Sequence, residues 1–212
     1  MASSGEGLAS VIASMILTRP DAFIDLLTML KRIIPQIKNI RVAKKKLTRM
    51  ERETLSFRGK SIETSIPRSV IGDCLVFDFE NAADVAAFNV SAGTLMVLGL
   101  LTALHCSSRP RVVLVDDIEK GLHPDAQREL VGLLREVLSM EPELQIIATS
   151  HSPYFLDFLQ FDEVGLTVLD EKGHTVCGRL ENHLKYEKWK MELAPGEMWS
   201  LFAEKWMTEG AK

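Results

Sequence analysis

The strongest constraint on what this chain can fold into is the stretch Arg111-Val-Val-Leu-Val-Asp-Asp-Ile-Glu-Lys-Gly-Leu-His-Pro124. Four apolar residues, Val112 to Val115, run straight into two carboxylates, Asp116 and Asp117. A short unbroken run of this kind predicts a strand buried on both faces, as in parallel sheets. Acids at the C-terminal end of such a strand sit where open α/β sheets bind ligands. A bare carboxylate pair there is costly unless a cation or a reaction uses it. Mg2+ with a nucleotide phosphate is the simplest use.

A chain of 212 residues suffices for one sizeable core and a small subdomain. A formal net charge of −4 argues against a globally nucleic-acid-like surface. The three cysteines, Cys74, Cys106 and Cys177, are scattered with no CxxC spacing, which argues against zinc and suits a reducing compartment. The apolar stretch Leu8 to Leu17 is too short to span a bilayer and has no basic residues before it. No membrane association is expected, and the cytoplasm is the default location.

Helices are predicted from Gly7 to about Thr18 and from Asp21 to Ile34, the second with Leu26, Leu27, Leu30, Ile33 and Ile34 on one face. Ile37, Ile40 and Val42, then Leu55, Phe57, Ile62 and Ile66, read as short strands with a turn at Arg58-Gly59-Lys60. The alternation of Leu75, Phe77 and Phe79 favours another strand. Ser91 is an N-cap candidate before the buried helix Leu95 to Leu104. After the strand Val112–Val115 come a turn at Gly121, a helix from Pro124 to about Met140, and a second buried strand from Gln145 to Thr149. His151-Ser-Pro153 starts a short helix, and Val164–Leu169 pairs with Thr175–Leu180 around Glu171-Lys-Gly173. Alternating strand and helix after residue 90 argues a parallel α/β core. The expected organisation is a mixed helical and β lobe over residues 1–88 and a core over 89–212.

Three segments occur in order: Val90-Ser-Ala-Gly-Thr94, then Val112-Val-Leu-Val-Asp-Asp117 with Gly-Leu-His-Pro124, then Ala148-Thr-Ser-His-Ser-Pro153. Together they resemble the C-terminal half of an ABC-type ATPase head, of the stand-alone AAA ATPase group related to SMC, RecF and OLD ATPases. The resemblance is strongest from about Ser91 to Leu159. It implies a P-loop NTPase fold, ATP and Mg2+ as ligands, and nucleotide held between two subunits. It matches Ser91, Ala92 and Gly93 to the signature loop that reaches a γ-phosphate across the dimer. A Ser at a helix start, with a Gly that lets backbone come close, also makes physical sense as an anion site. Asp116 matches the Walker B aspartate, which holds Mg2+ through water. Asp117 matches the catalytic base and His151 the switch histidine that senses the γ-phosphate. Gly121, His123 and Asp125 fall in the D-loop at the dimer interface. Plainer readings stand beside these: a capped core helix at Ser91, a turn at Asp117 and a hydrogen-bonding role for His151.

Two departures from the family pattern shape the expectation. The family mostly has Glu where this chain has Asp117, which is shorter by about 1.5 Å. Misplacement of that order can cost roughly a hundredfold in rate, so slow hydrolysis or an ATP-gated clamp becomes a live alternative. The G-x-x-x-x-G-K-[ST] phosphate loop is missing from its usual N-terminal place. Gly59-Lys60-Ser61 follows Thr54 where the first glycine belongs, and Ile62 to Ile66 alternates like a strand, so it reads as a hairpin turn. The chain therefore looks like half a head, hydrolysing ATP only when a Walker A-containing segment or partner completes it. A homodimer or a hetero-assembly with such a chain is expected, serving DNA repair or defence against phage and other foreign DNA. The alternative is a non-catalytic dimerisation or regulatory module. Arg41, Lys44, Lys45, Lys46, Arg49 and Arg52 leave nucleic-acid contact open, although a solvated basic face is the simpler reading. Met198, Leu201, Phe202, Lys205 and Trp206 have helical spacing and are expected to pack on the core.

Overall fold

The computed structural model describes residues 7–57, 60–106, 110–202, 204 and 206–209. It divides into two compact units, Met1–Arg109 and Pro110–Lys212. The residues after the expected lobe boundary at 88/89 thus fall in both units.

In the first unit, helix α1 (Leu8–Thr18) runs into α2 (Pro20–Ile33) through Arg19. Pro20 opens α2 because the first helical position needs no N–H partner. Leu8, Ile12 and Met15 of α1 and Leu26, Leu30 and Ile33 of α2 are buried, the i, i+4 and i+3 stripes of two amphipathic helices. Helix α3 (Ala92–His105) lies against both, with Val97, Leu98 and Leu101 fully buried. The Arg19 guanidinium donates to the carbonyl of His105 at 2.8 Å, satisfying one of the orphan acceptors at the end of α3.

The short strands expected between residues 37 and 66 are instead two long ones. Strand β1 (Ile37–Phe57) pairs antiparallel with β2 (Lys60–Phe79) along its whole length, and β3 (Val85–Ala86) adds to the base of β2. Among the described residues of the ribbon, the buried ones lie at its base: Ile37, Ile40, Leu75, Val76 and Phe77. Further out, Lys44, Lys45 and Lys46 are all exposed, so no in/out alternation marks the strand in the sequence. Part of the basic stretch is neutralised across the ribbon. Arg41 binds Asp78 and Asp84 at 2.8 and 2.7 Å, and Lys44 binds Asp73 at 2.6 Å. Residues 58 and 59 of the expected turn lie outside the described residues. Lys60 and Ser61 begin β2, so the residues after Gly59 form a strand.

The second unit opens with a βαβ unit: β4 (Val112–Val115), α4 (Pro124–Met140) and β5 (Gln145–Ala148), the strands parallel and in register from Val112↔Gln145 to Val115↔Ala148. The expectation that both strands are buried on both faces is wrong. Val113 is buried, but Val112, Leu114 and Ile147 are 47%, 74% and 58% exposed. Leu114 and Ile147 are register partners and share one face. Parallel sheets are ordinarily covered on both faces, and among the described residues this two-stranded one is covered on one. Helix α5 (Pro153–Leu156), the antiparallel hairpin β6 (Gly165–Leu169) and β7 (Thr175–Arg179), and helices α6 (Tyr186–Trp189), α7 (Pro195–Phe202) and α8 (Trp206–Glu209) complete the unit.

The tail stripe is split between α7 and α8 rather than carried on one helix. Met198 is fully buried with Leu156, Val164, Leu166 and Leu180, whereas Leu201 is 61% exposed and Lys205 lies outside the described residues. Gly196 is obligatory: a Cβ there would meet the Pro153 carbonyl oxygen at 1.9 Å. Asp157 Oδ1 accepts from the N–H groups of Gly196 and Glu197 at 2.8 and 3.1 Å and so caps α7. His183 is buried against Phe202 and Trp206, and burial holds its pKa below the ordinary imidazole value.

Candidate functional site

The C-terminal ends of β4 and β5 leave the sheet side by side. Main-chain pairing continues past the strands, with the Thr149 N–H donating to the Val115 carbonyl at 2.9 Å and the Ile118 N–H to the Thr149 carbonyl at 3.1 Å. Beyond that, side chains join the two loops. The Thr149 hydroxyl donates to Asp116 Oδ1 at 2.6 Å and accepts from the Asp117 N–H at 2.9 Å. The His151 N–H donates to Glu119 Oε1 at 2.9 Å. Ile118, 1% exposed, anchors the acid loop beneath. Asp116 and His151 are exposed and Asp117 is half-buried. The parallel pairing thus brings Asp116, Asp117 and the loop of His151 to one sheet end, where α/β sheets carry their ligands.

Asp117 has a left-handed backbone, φ 50, and its carbonyl accepts from the Lys120 N–H at 2.9 Å. Its carboxylate lies 3.4 Å from the Lys120 ammonium. The turn continues through Gly121, φ 70, a conformation glycine adopts without steric cost. His123 caps α4, its Nδ1 accepting from the Asp125 N–H at 3.3 Å. Asp125 in turn pairs with Arg128 at 3.1 Å. Gln127 is buried and donates to the Leu122 carbonyl at 3.0 Å, which fixes the turn from below. Ser152 caps α5 by accepting from the Phe155 N–H at 3.3 Å.

Ser91, Ala92 and Gly93 belong to the first unit. Ser91 is the N-cap of α3 as expected, its hydroxyl accepting from the Thr94 N–H at 3.2 Å and lying 2.8 Å from the Thr94 hydroxyl. Ala92 is exposed and Gly93 is buried in the first turn.

The sequence reading missed Thr149 and Glu119. Thr149 is the only atom bridge between the two acids among the described residues, and Glu119 holds the backbone of His151. A hydroxyl residue directly after an apolar run, and a third acid two places after a pair, were the available signals.

Fit to a divalent cation follows from the donor set. Among the described residues no group of three or more His, Cys, Asp or Glu side chains could hold a metal. Mg2+ does not need one: it keeps several waters and takes one or two carboxylates plus substrate phosphate. Thr149 occupies one oxygen of the exposed Asp116, and the other suits a water of a hydrated cation.

Residues 17–157 match the family described as AAA domain, putative AbiEii toxin, type IV TA system. The chain belongs to this AAA-domain family. It is also similar to the Septu protein PtuA of Bacillus thuringiensis, 29% identical over 82 residues, covering 38% of this chain. That match spans a fifth of the relative's length. In fold it is similar to a chain solved in work on ATP-driven dimerization and DNA-stimulated activation of SMC ATPases, with a TM-score of 0.52, 12% identity, and coverage of 85% of this chain and 95% of that one. The AAA-family domain is therefore mixed α/β with the P-loop NTPase fold of an SMC-type ATPase head. Among its described residues no helix is long and apolar enough to cross a membrane.

Proposed function

We propose that this domain is the C-terminal half of an ABC-type ATPase head, binding Mg-ATP and hydrolysing it once a polypeptide bearing a phosphate loop completes it. The observation that carries this reading is the junction of Asp116, Asp117 and the His151 loop at one end of the β4–β5 pair. Asp116 would hold hydrated Mg2+, Asp117 would polarise the attacking water, and His151 would sense the γ-phosphate. Mg2+ bound there supplies charge neutralisation at the β- and γ-phosphates. Ser91, Ala92 and Gly93 would present the capped start of α3 to nucleotide held by an opposing subunit, and Gly121, His123 and Asp125 would line the dimer interface.

The bare face of β4 and β5 supports completion by another segment. Leu114 and Ile147 are exposed where a sheet of this class is normally covered. A strand and helix carrying the phosphate loop would both cover that face and supply the lysine that grips the phosphates. The family description, with its toxin and type IV toxin–antitoxin system, favours a defence role over housekeeping repair.

A slow, clamp-like use of ATP has its own support. Asp117 is short for a base and already lies beside Lys120. The test is ATP binding and turnover by the chain alone and by the chain joined to the polypeptide encoded upstream. Turnover that appears only on completion, and disappears in Asp116→Ala, supports the proposal. Partner binding indifferent to ATP and Mg2+ would replace it with a non-catalytic dimerisation or regulatory module.

A further inference from the structure

We infer that Thr149 and Glu119 are positioning residues, a reciprocal pair of side-chain clamps that holds Asp116 and His151 in working register. The inference rests on the proposal that these two residues act on Mg-ATP. Strands β4 and β5 pair over four residues each, and their backbone ladder ends at Ile118 and Thr149. Asp116 and Asp117 fall between the last bond at Val115 and the one at Ile118, where the two chains diverge from regular pairing. Each loop then reaches across to the other with one side chain. Thr149 leaves β5 to bind the acid loop, and Glu119 leaves the acid loop to bind the β5 side.

The chemistry of each clamp is directional. A hydroxyl has one proton to give, and Thr149 gives it to Asp116 Oδ1 at 2.6 Å, a short charge-assisted bond. The same oxygen accepts the Asp117 N–H, so one atom sets both the carboxylate of Asp116 and the backbone of Asp117. The branched side chain of Thr is stiff at χ1, which makes that oxygen a fixed point. Glu119 is the more telling case. Its Oε1 accepts the His151 N–H at 2.9 Å, but its Oε2 is buried without a partner. A carboxylate oxygen out of water and unpaired works against stability. The gain that offsets it is control of the His151 backbone.

The experiment uses the completed ATPase, with Thr149→Val, Thr149→Ser, Glu119→Ala, Glu119→Gln and Asp116→Ala. Two readouts are taken: the Mg2+ concentration needed for half-maximal binding of a fluorescent ATP analogue, and kcat and KM for ATP. Partners in the outer shell of a metal site are typically worth 10–100-fold. Thr149→Val should therefore raise the Mg2+ requirement by about tenfold or more, and Thr149→Ser should restore it to within about threefold. Glu119→Ala should lower kcat by about tenfold with KM for ATP moving far less, and Glu119→Gln, which keeps the acceptor, should retain most of it. If Thr149→Val and Glu119→Ala leave both readouts within about twofold of the parent while Asp116→Ala abolishes Mg2+ dependence, the clamps are overturned and the site stands. If Asp116→Ala itself leaves Mg2+ dependence intact, the reading beneath falls and takes the clamps with it. Should Thr149→Val fail to fold, the Glu119 pair and Thr149→Ser decide the matter. Equal loss in Glu119→Ala and Glu119→Gln would overturn the role assigned to that acceptor.

Discussion

The two strand pairs of this domain are built on opposite terms. The β1–β2 ribbon pairs at twenty positions, between strands that are consecutive in sequence. The β4–β5 pair has four positions and closes only through the α4 crossover. The ribbon is secured at its base by Ile37, Ile40 and Phe77, all nearly or fully buried. The parallel pair leaves Leu114 and Ile147 in solvent, yet it carries Asp116 and Asp117 of the candidate site. Extent of hydrogen bonding and the placing of candidate site residues therefore run in opposite directions. A long antiparallel ladder satisfies itself and can tolerate a polar surface on both sides. A short parallel pair gathers chemistry at one end because both strands point the same way, and it relies on other elements for cover.

The sharpest way to break this contrast is to remove one carboxylate from each pair. Asp116→Ala should reduce ATP turnover of the completed protein by about a thousandfold, on the scale of losing a preorganised charge-stabilising group. Asp73→Ala, which removes the ion pair to Lys44 on the ribbon and a hydrogen bond from the Ser10 hydroxyl, should leave turnover unchanged. Steady-state ATPase assays compare them directly, and a similar loss from both would erase the distinction.

Next comes the packing difference. Ile40→Ala in the ribbon base should cost about 3 kcal/mol in chemical denaturation, because Ile40 is 2% exposed and a cavity replaces it. Ile147→Ala should change the stability of the isolated chain by no more than about 0.5 kcal/mol, as for other solvent-facing side chains. It should instead weaken association with the completing segment. Ser91→Ala should cost about 1 kcal/mol by the same denaturation measurement, the ordinary worth of an N-cap.

The smallest effect concerns acid sensitivity of the ribbon. Hydrogen bonding from the Arg41 guanidinium, helped by the Asp84 N–H, lowers the Asp78 pKa from 3.8 to about 2. A depressed carboxylate stabilises the fold above its unfolded pKa and loses that contribution as pH falls through the folded one. The ribbon base should therefore keep this contribution above about pH 4 and shed it towards pH 2. Amide chemical shifts of Val76 and Phe77 followed from pH 5 to 2 should show the step, and Asp78→Asn should remove it.

Much of the fold was legible because its signals are local. Ser91 before an apolar run announces a cap, Pro124 after Gly121 a helix start, and Glu171 to Gly173 a hairpin, and the structure has each. Ribbon length was hidden because a strand exposed on both sides leaves no alternation, as at Lys44 to Lys46. The openness of β4 was hidden for the opposite reason: Val112 to Val115 reads the same whether or not something covers its outer face. At the candidate site, Asp116, Asp117 and His151 stood out by residue type. Thr149 and Glu119 did not, since their partners lie more than thirty residues away and only the parallel register reveals them.

The left-handed backbone at position 117 has an evolutionary corollary. Aspartate and asparagine tolerate that conformation better than other side chains with a Cβ, whereas a longer one incurs a penalty of about 1–2 kcal/mol. Lengthening the acid by a single substitution would thus gain reach and lose backbone comfort at once. A glutamate there would have to change the shape of the loop or bear that penalty, so the length of the acid and the path of the backbone are coupled.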